Sequence, residues 1–432
     1  MPKLTSSQIK NFLIHSIDSL QNQRDKIFVN PKTDFSRTQK ISFRQTILFP
    51  MLMDNHATSS ELVDFFPENC VPSQAAMSYR RDQIKPEAFE FLFKDFTSKL
   101  PCPKTYAGMR LVAVDGSRIN TPYNPKDPES FLKCYSDRRG TNQLHLNALY
   151  DILNGTFLDA MVQNRHSFNE TKAFCDMVDR YSDDTPTLFL ADRGYTSFNI
   201  FAHIRDRKHH FLIRIQEKMA KNLFTDSELS LNDSTFDRMD TIQIGRRLTH
   251  VTKKLRNYHW ISSHRNFDAL EPKSSEIYTL PVRLLKFPIS ETQDEYILTD
   301  LTSEQCSIEE VKKIYHLRWG IETAFRFLKY AANLLEFHSL KHTFQLQEIY
   351  AKLTFYNFCA AIQANLTKQE WTGKIHKTKI NKSYVFDIVL RFLKGRISDI
   401  ESLVSKKRVS DRPGRNFKRN MQNQRAVTLN NR

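Results

Sequence analysis

The chain has 432 residues, more than one core of about 150 residues accommodates, and 40% are apolar against 26% charged, which excludes a wholly disordered polymer. Sixty-four Lys and Arg against 48 Asp and Glu leave a net charge of +16, a surplus that suits a polyanion such as nucleic acid but equally describes a basic protein with solvated charges. The six cysteines (Cys70, Cys102, Cys134, Cys175, Cys306, Cys359) form no CxxC pair, which points away from a zinc ribbon or a disulfide scaffold and toward reduced thiols. No stretch reaches the roughly 18 apolar residues of a membrane span, and MPKLTSSQIKNFLIHSID has no signal-peptide core, so a soluble, unexported chain is expected.

Between Ile41 and Leu100 apolar residues recur at helical spacing, as in FRQTILFPMLM and EAFEFLFKDF. Residues 1–104 therefore read as a small helical domain. Ser73 is placed to cap SQAAMSYRRDQI, which follows the helical segment SSELVDFF. Two such helices joined tightly resemble a helix-turn-helix, although helical pairs more often simply pack. On the groove-reading view, Arg80 and Arg81 are the candidate DNA contacts.

After Pro103 the texture changes. LVAVDG is a short apolar run ending in Asp115 and Gly116, QLHLNALYDI alternates up to Asn154-Gly155, and TFLDAMVQ follows; Asn-Gly between two such runs predicts a hairpin. FNETKAFCDMVDRY has helical spacing with Asn169 as cap, TLFLADRGY is an apolar run ending at Asp192, FNIFAHIRDR reads as helix and HHFLIRI as strand. From 216 to 300 short Thr-, Val-, Ile- and Tyr-rich segments predict a β-rich insertion, within which RRLTHVTKKLR suits a solvated strand face as readily as a DNA contact.

Ser307 and Glu310 have capping-box spacing, and Ile314, Leu317, Ile321, Phe325 and Leu328 continue as an apolar stripe, so one helix is expected from Ser307 through Leu328, with a further helical stretch, EIYAKLTFYNFCAAIQANL, after it. Residues 371–432 read as a helical segment and a basic tail, with nine Lys and Arg against one acid from Lys406 onward.

Three carboxylates stand out. Asp115 and Asp192 end two strands and emerge together if those strands are neighbours, although Asp at a strand end is usually a turn residue. Tyr315, Arg318, Glu322 and Lys329 follow at steps of three, four and seven on one helical stripe, which is also what an ordinary surface helix with an i, i+4 ion pair looks like. Three converging carboxylates repel unless cations neutralise them, and oxygen-only ligands suit Mg²⁺ or Mn²⁺. Two such ions about 3.5 to 4 Å apart would activate a hydroxyl and stabilise the leaving oxygen of a phosphodiester.

YHLRWGIETAFRFLK, residues 315–329, resembles the Y-x2-R-x3-E-x6-K signature of a subgroup of bacterial insertion-sequence DDE transposases. The resemblance implies an RNase H-like mixed-sheet α/β core, with residues 105–215 as its first part and 301–370 as its last, split by the insertion and preceded by the helical domain. By the same resemblance Asp115, Asp192 and Glu322 are the catalytic metal ligands, Tyr315, Arg318 and Lys329 bind phosphates at the transposon end, and Mg²⁺ or Mn²⁺ is the cofactor, two ions per site. It also implies a cytoplasmic bacterial protein acting on the chromosome. The activity implied is binding of terminal inverted repeats, cleavage at the element ends and joining of the 3′-hydroxyls to target DNA. Its partners are double-stranded DNA, with no membrane, and a second copy in a homodimer on DNA. An RNase H-like nuclease without strand transfer and a silent DNA-binding regulator are the alternatives.

Overall fold

The computed structural model describes residues 4–37, 39–133, 139–223, 235–291, 293–366 and 378–410. Most of the basic tail, including RPGRNFKR, therefore lies outside the described residues.

Local capping starts several of the N-terminal helices: α1 (Ser6–Gln21), α2 (Arg24–Ile27), α3 (Phe43–Leu52), α4 (Thr58–Phe65), α5 (Gln74–Asp82) and α6 (Glu87–Ser98). Thr5 and Ser42 close capping boxes with Gln8 and Gln45, and Ser73 Oγ accepts the Ala76 N–H, as its position predicts. The segment between α4 and α5 runs from Phe66 to Ser73 and holds a 3₁₀ turn between Pro67 and Pro72. That is longer than the three- or four-residue turn of about the helix-turn-helix type, so the expected tight pair is not formed.

Arg80 and Arg81, expected on a DNA-facing surface, turn inward and are each 4% exposed. Arg80 stacks 3.6 Å above the Phe35 ring and donates to Gln83 Oε1. Arg81 lies against the Phe344 ring, pairs with Glu348 at 3.0 Å and donates to Gln347 Oε1 and the Phe344 carbonyl. Each guanidinium completes the protein's own packing, and Arg81 rivets the end of α5 to α12 (His342–Asn365).

That 24-residue helix is buried on nearly every side. Several of its polar residues are matched within the interior, although Gln345 Oε1 is buried without a hydrogen-bond partner. Lys352 donates to the Met51 and Met53 carbonyls at the end of α3, and burial pulls its pKa down to about 8. Asn357 brackets the Phe157 backbone, accepting its N–H and donating to its carbonyl. One apolar core consequently runs from Ile9, Ile47 and Phe93 of the N-terminal helices through Ala148 and Phe157 of the sheet to Phe325 and Val385.

The sheet begins with β1 (Arg110–Thr121), β2 (Phe131–Leu132), β3 (Thr141–Asp151) and β4 (Thr156–Asn164). Asn154-Gly155 turns the chain between β3 and β4, with Gly155 at φ +78°. Asn169 caps α7 (Glu170–Asp179), and β5 (Thr187–Ala191), α8 (Phe198–Asp206) and β6 (His210–Ile215) follow. β3 is antiparallel to β1 and β4, and β5 is parallel to β1 and β6. The resulting order β4-β3-β1-β5-β6, with α7 and α8 as crossovers, is that of an RNase H-like sheet.

After α9 (Glu217–Leu223), the inserted strands β7 (Phe236–Gly245), β8 (Tyr258–Trp260), β9 (Ile277–Ser290) and β10 (Gln293–Thr299) extend this same sheet, because β10 pairs antiparallel with β6. Within the basic run, Arg246 turns in and donates to four backbone carbonyls, those of Ser262, Arg265, Phe267 and Leu270, while Lys253 and Lys254 stay exposed. The chain closes with α10 (Ile308–Leu317), α11 (Gly320–Tyr330), α12, β11 (Thr378–Ile380), α13 (Lys382–Leu393), α14 (Ile400–Lys406) and β12 (Arg408–Ser410), which pairs with β11.

His203 on α8 ties α7 to the insertion: Nδ1 lies 2.9 Å from Asp179 and Nε2 2.9 Å from Asp268. Burial works against its protonation, but the two carboxylates outweigh burial and raise its pKa. A raised folded-state pKa contributes stability in full below the unfolded value of about 6.5 and loses it as pH climbs through the folded value. His203→Gln should therefore be most destabilising near pH 5.5 and least at pH 9, read from urea midpoints; an equal deficit at both would exclude a charged bridge.

Candidate active site

Asp115 does not end its strand. β1 runs on to Thr121 because β3 pairs with it from Val112 to Thr121, with Asp115 opposite Ala148. On the other side, pairing with β5 stops at Ala113–Leu190. Asp115 stands two residues beyond Ala113 and Asp192 two beyond Leu190, so the two carboxylates hold corresponding positions where the parallel strands part. Side chains alternate with a period of two, which puts both Asp residues on the face carrying Leu111, Leu188 and Leu190, packed against Ile314 and Tyr315 of α10. The Gly116 N–H donates to Asp115 Oδ1 over 2.9 Å, and the Gly194 N–H to Asp192 Oδ1 over 2.8 Å.

The signature segment is two helices rather than the single one expected. Ser307 and Glu310 close their capping box on α10, but at Arg318 and Trp319 the bonds tighten to three residues: the Arg318 N–H reaches the Tyr315 carbonyl and the Ile321 N–H the Arg318 carbonyl. The apolar period runs unbroken across this step, so periodicity alone does not reveal it. α11 packs on β1 and carries Glu322 beside the two aspartates.

Asp115 records the gathering of charge. Burial, assisted by the charges of Asp192 and Glu322, pushes its pKa up to about 6 against the Gly116 N–H and the Arg318 guanidinium. Arg318 is 6% exposed and pairs with Glu322 at 3.0 Å, and its Nε, also buried, has no partner. Lys329 donates to the Arg118 carbonyl at 2.7 Å, and burial lowers its pKa while Asp115 opposes the fall. Tyr315 is 4% exposed, and burial raises its pKa. The structure thus places all six signature and aspartate residues in one neighbourhood, of which Arg80 and Arg81, packed against Phe35 and Phe344, are not part.

A divalent cation fits this donor set. The acidic side chains are hard oxygen donors, and an Asp whose pKa is raised by burial and by neighbouring carboxylates is a site that gains from added positive charge. Among the described residues, however, no three His, Cys, Asp or Glu side chains close round one point, in keeping with Glu322 being engaged by Arg318.

Two features beside the site carry no sequence signal. Tyr195, in ADRGY, is 3% exposed with an unpartnered hydroxyl, and the charges of Glu170, Asp115 and Asp192 join burial in raising its pKa well above the usual value. A cleft of about 300 Å³ opens against Arg318, lined also by Arg214, Glu295, Lys312, Tyr315 and Trp319. Arg214 comes from β6 and Glu295 from β10, so only the sheet's pairing brings them to the helix break.

The family described as Transposase DDE domain matches residues 106–358, the span that contains the two aspartates, the insertion and the broken helix. No curated protein matches the chain. Among solved structures, the piggyBac transposase in a synaptic complex with hairpin DNA is similar over 89% of this chain and 77% of that one, at 9% identity and a TM-score of 0.44. Among the described residues no helix is long and apolar enough to cross a membrane. With the family match covering more than half of its residues, the chain belongs to the DDE transposases.

Proposed function

We propose that this protein is the transposase of a bacterial insertion sequence, of the Y-x2-R-x3-E-x6-K subgroup, which binds the terminal inverted repeats of its element, cuts at the ends and joins the 3′-hydroxyls to target DNA. The observation that carries the reading is the register of the site: Asp115 and Asp192 sit equally far beyond the last β1–β5 pair, and Glu322 stands near enough to help raise the Asp115 pKa.

Asp115, Asp192 and Glu322 would hold the divalent cations, Mg²⁺ or Mn²⁺ and two per site. When bound, such ions activate water or a 3′-hydroxyl and stabilise the leaving oxygen. The chain's own contribution is placement. The Gly116 and Gly194 N–H groups orient the two aspartates. Arg318 offers a fork that matches phosphate geometry, with its Nε unpartnered in the free protein, whereas Lys329 brings a point charge and Tyr315 braces the guanidinium from below, its ring 5.9 Å away. Taking up a phosphate draws Arg318 away from Glu322, which frees that carboxylate.

With Arg80 and Arg81 enclosed, end recognition by residues 1–104 rests on other side chains of that helical region and on the basic tail. Coupled cutting of two ends calls for a homodimer on double-stranded DNA, acting on the chromosome in the cytoplasm. The test is incubation of the protein with a fragment carrying the element's flanking repeats. Nicks at the repeat ends and joined products should form with Mg²⁺ and vanish with EDTA. Specific binding with no cleavage in either Mg²⁺ or Mn²⁺ would overturn the reading, and cleavage without joining of pre-cut ends would reduce it to a nuclease.

A further inference from the structure

Asp115 is oriented by the N–H of Gly116, yet nothing on the β5 side supports that peptide, since the last β1–β5 pair is Ala113–Leu190. β3 pairs with it at Asn147 along the other edge, and further support comes from the face opposite Asp115. His145 on β3, 4% exposed, and Glu170, the first residue of α7, meet there with Nε2 and Oε1 2.9 Å apart, and the imidazole lies against the Phe168 ring at 4.5 Å. A Cβ on Gly116 would collide with both Glu170 Oε1 and His145 Nε2, so this pair rests directly on the strand backbone and must shift to admit any larger residue there. The contact with His145 is also the main cause that holds the Glu170 carboxyl below its usual range.

We propose that His145 and Glu170 are positioning residues for Asp115: lying on Gly116, they fix the peptide whose N–H aims the Asp115 carboxylate at its cation. The assignment rests on the proposed metal-dependent cleavage. Neither residue touches DNA or metal in this scheme. Both act through the Gly116 backbone, as the outer partners of metal ligands do, whose loss typically costs about 10- to 100-fold in metal affinity or activity.

The experiment uses the full chain and Mn²⁺ as probe, with binding followed by electron paramagnetic resonance in the absence of DNA. End nicking is measured alongside it, with kcat and KM for the DNA fragment determined separately. Glu170→Ala and His145→Ala should each weaken Mn²⁺ binding and lower kcat by about 10- to 100-fold, with KM unchanged. Glu170→Gln, which keeps the shape resting on Gly116, should recover most of both. The double variant should be no worse than either single one, because the pair acts as one unit. Gly116→Ala should reproduce the loss by displacing the pair. Folded Glu170→Ala protein with wild-type Mn²⁺ affinity and kcat would show that the pair is packing alone. Glu170 is partly exposed at a helix start, so its variant carries the test even if His145→Ala fails to fold. A wild-type chain that binds Mn²⁺ no better than Asp115→Asn would instead strike at the metal reading itself, a separate failure.

Discussion

Glu322→Gln should abolish nicking and joining together while leaving repeat binding in place. The substitution preserves size and hydrogen bonding, so α11 and its packing on β1 persist. It removes a hard anionic donor, and losing a direct ligand should cost more than the roughly 100-fold upper range seen for outer partners. Arg318 would at the same time keep only a neutral acceptor in place of its carboxylate partner at 3.0 Å and be drawn more readily to phosphate, so affinity for the repeats should hold or rise. In the proposed mechanism one set of carboxylates serves both steps, so the two activities should fall in parallel, and Asp115→Asn and Asp192→Asn should behave alike. A gel assay for nicking and joining beside a binding assay on the same preparation decides it; near wild-type cutting in Mg²⁺ by Glu322→Gln protein would remove Glu322 from the site.

The largest stability effect is expected at Arg81. Its ion pair with Glu348 is closed from solvent on both sides, with the side chains 5% and 4% exposed. Burial lowers the Arg81 pKa while Glu348 raises it, the balance of a charge that tolerates the interior only through its partner. Arg81→Ala leaves Glu348 buried without its ion-pair partner, with the His338 N–H and the more distant Lys352 as its remaining support, and breaking such a pair costs about 3–5 kcal/mol. Replacing both partners with apolar residues of similar volume should recover most of the loss, since a well-packed apolar substitute is often neutral or better. Urea unfolding of the single and double variants measures this. A loss under about 1 kcal/mol in Arg81→Ala, or DNA binding that weakens in the folded variant at a permissive temperature, would return Arg81 to the DNA-contact role.

What could be read from the sequence was local. Ser73, Asn169 and Ser307 cap helices as read because a cap bonds to an N–H three residues away, and Asn154-Gly155 turns a hairpin because the turn carries its own dihedral preference. The neighbourhood of the two aspartates followed from strands that share a direction. What escaped were properties set by partners distant in the chain. β1 continues past Asp115 because β3 is there to pair with it, Arg80 and Arg81 are enclosed because α12 and Phe35 cover them, and β10 extends the core sheet because β6 offers an edge. The break at Arg318 lies between these cases, since its residues keep helical spacing and only the backbone bonds reveal the step.

The burial of α12 bears on how this chain can be recombined. Lys352 satisfies the end of α3, Asn357 grips β4, and Gln347 and Glu348 receive Arg81, so one helix late in the chain holds matched partners in both the N-terminal helices and the sheet. An exchange that brought in new N-terminal helices with a foreign set of partners would strand Lys352 and Glu348 in the interior at once. Change in the N-terminal helices is therefore confined to surface positions, or must carry α12 along as part of the same inherited block.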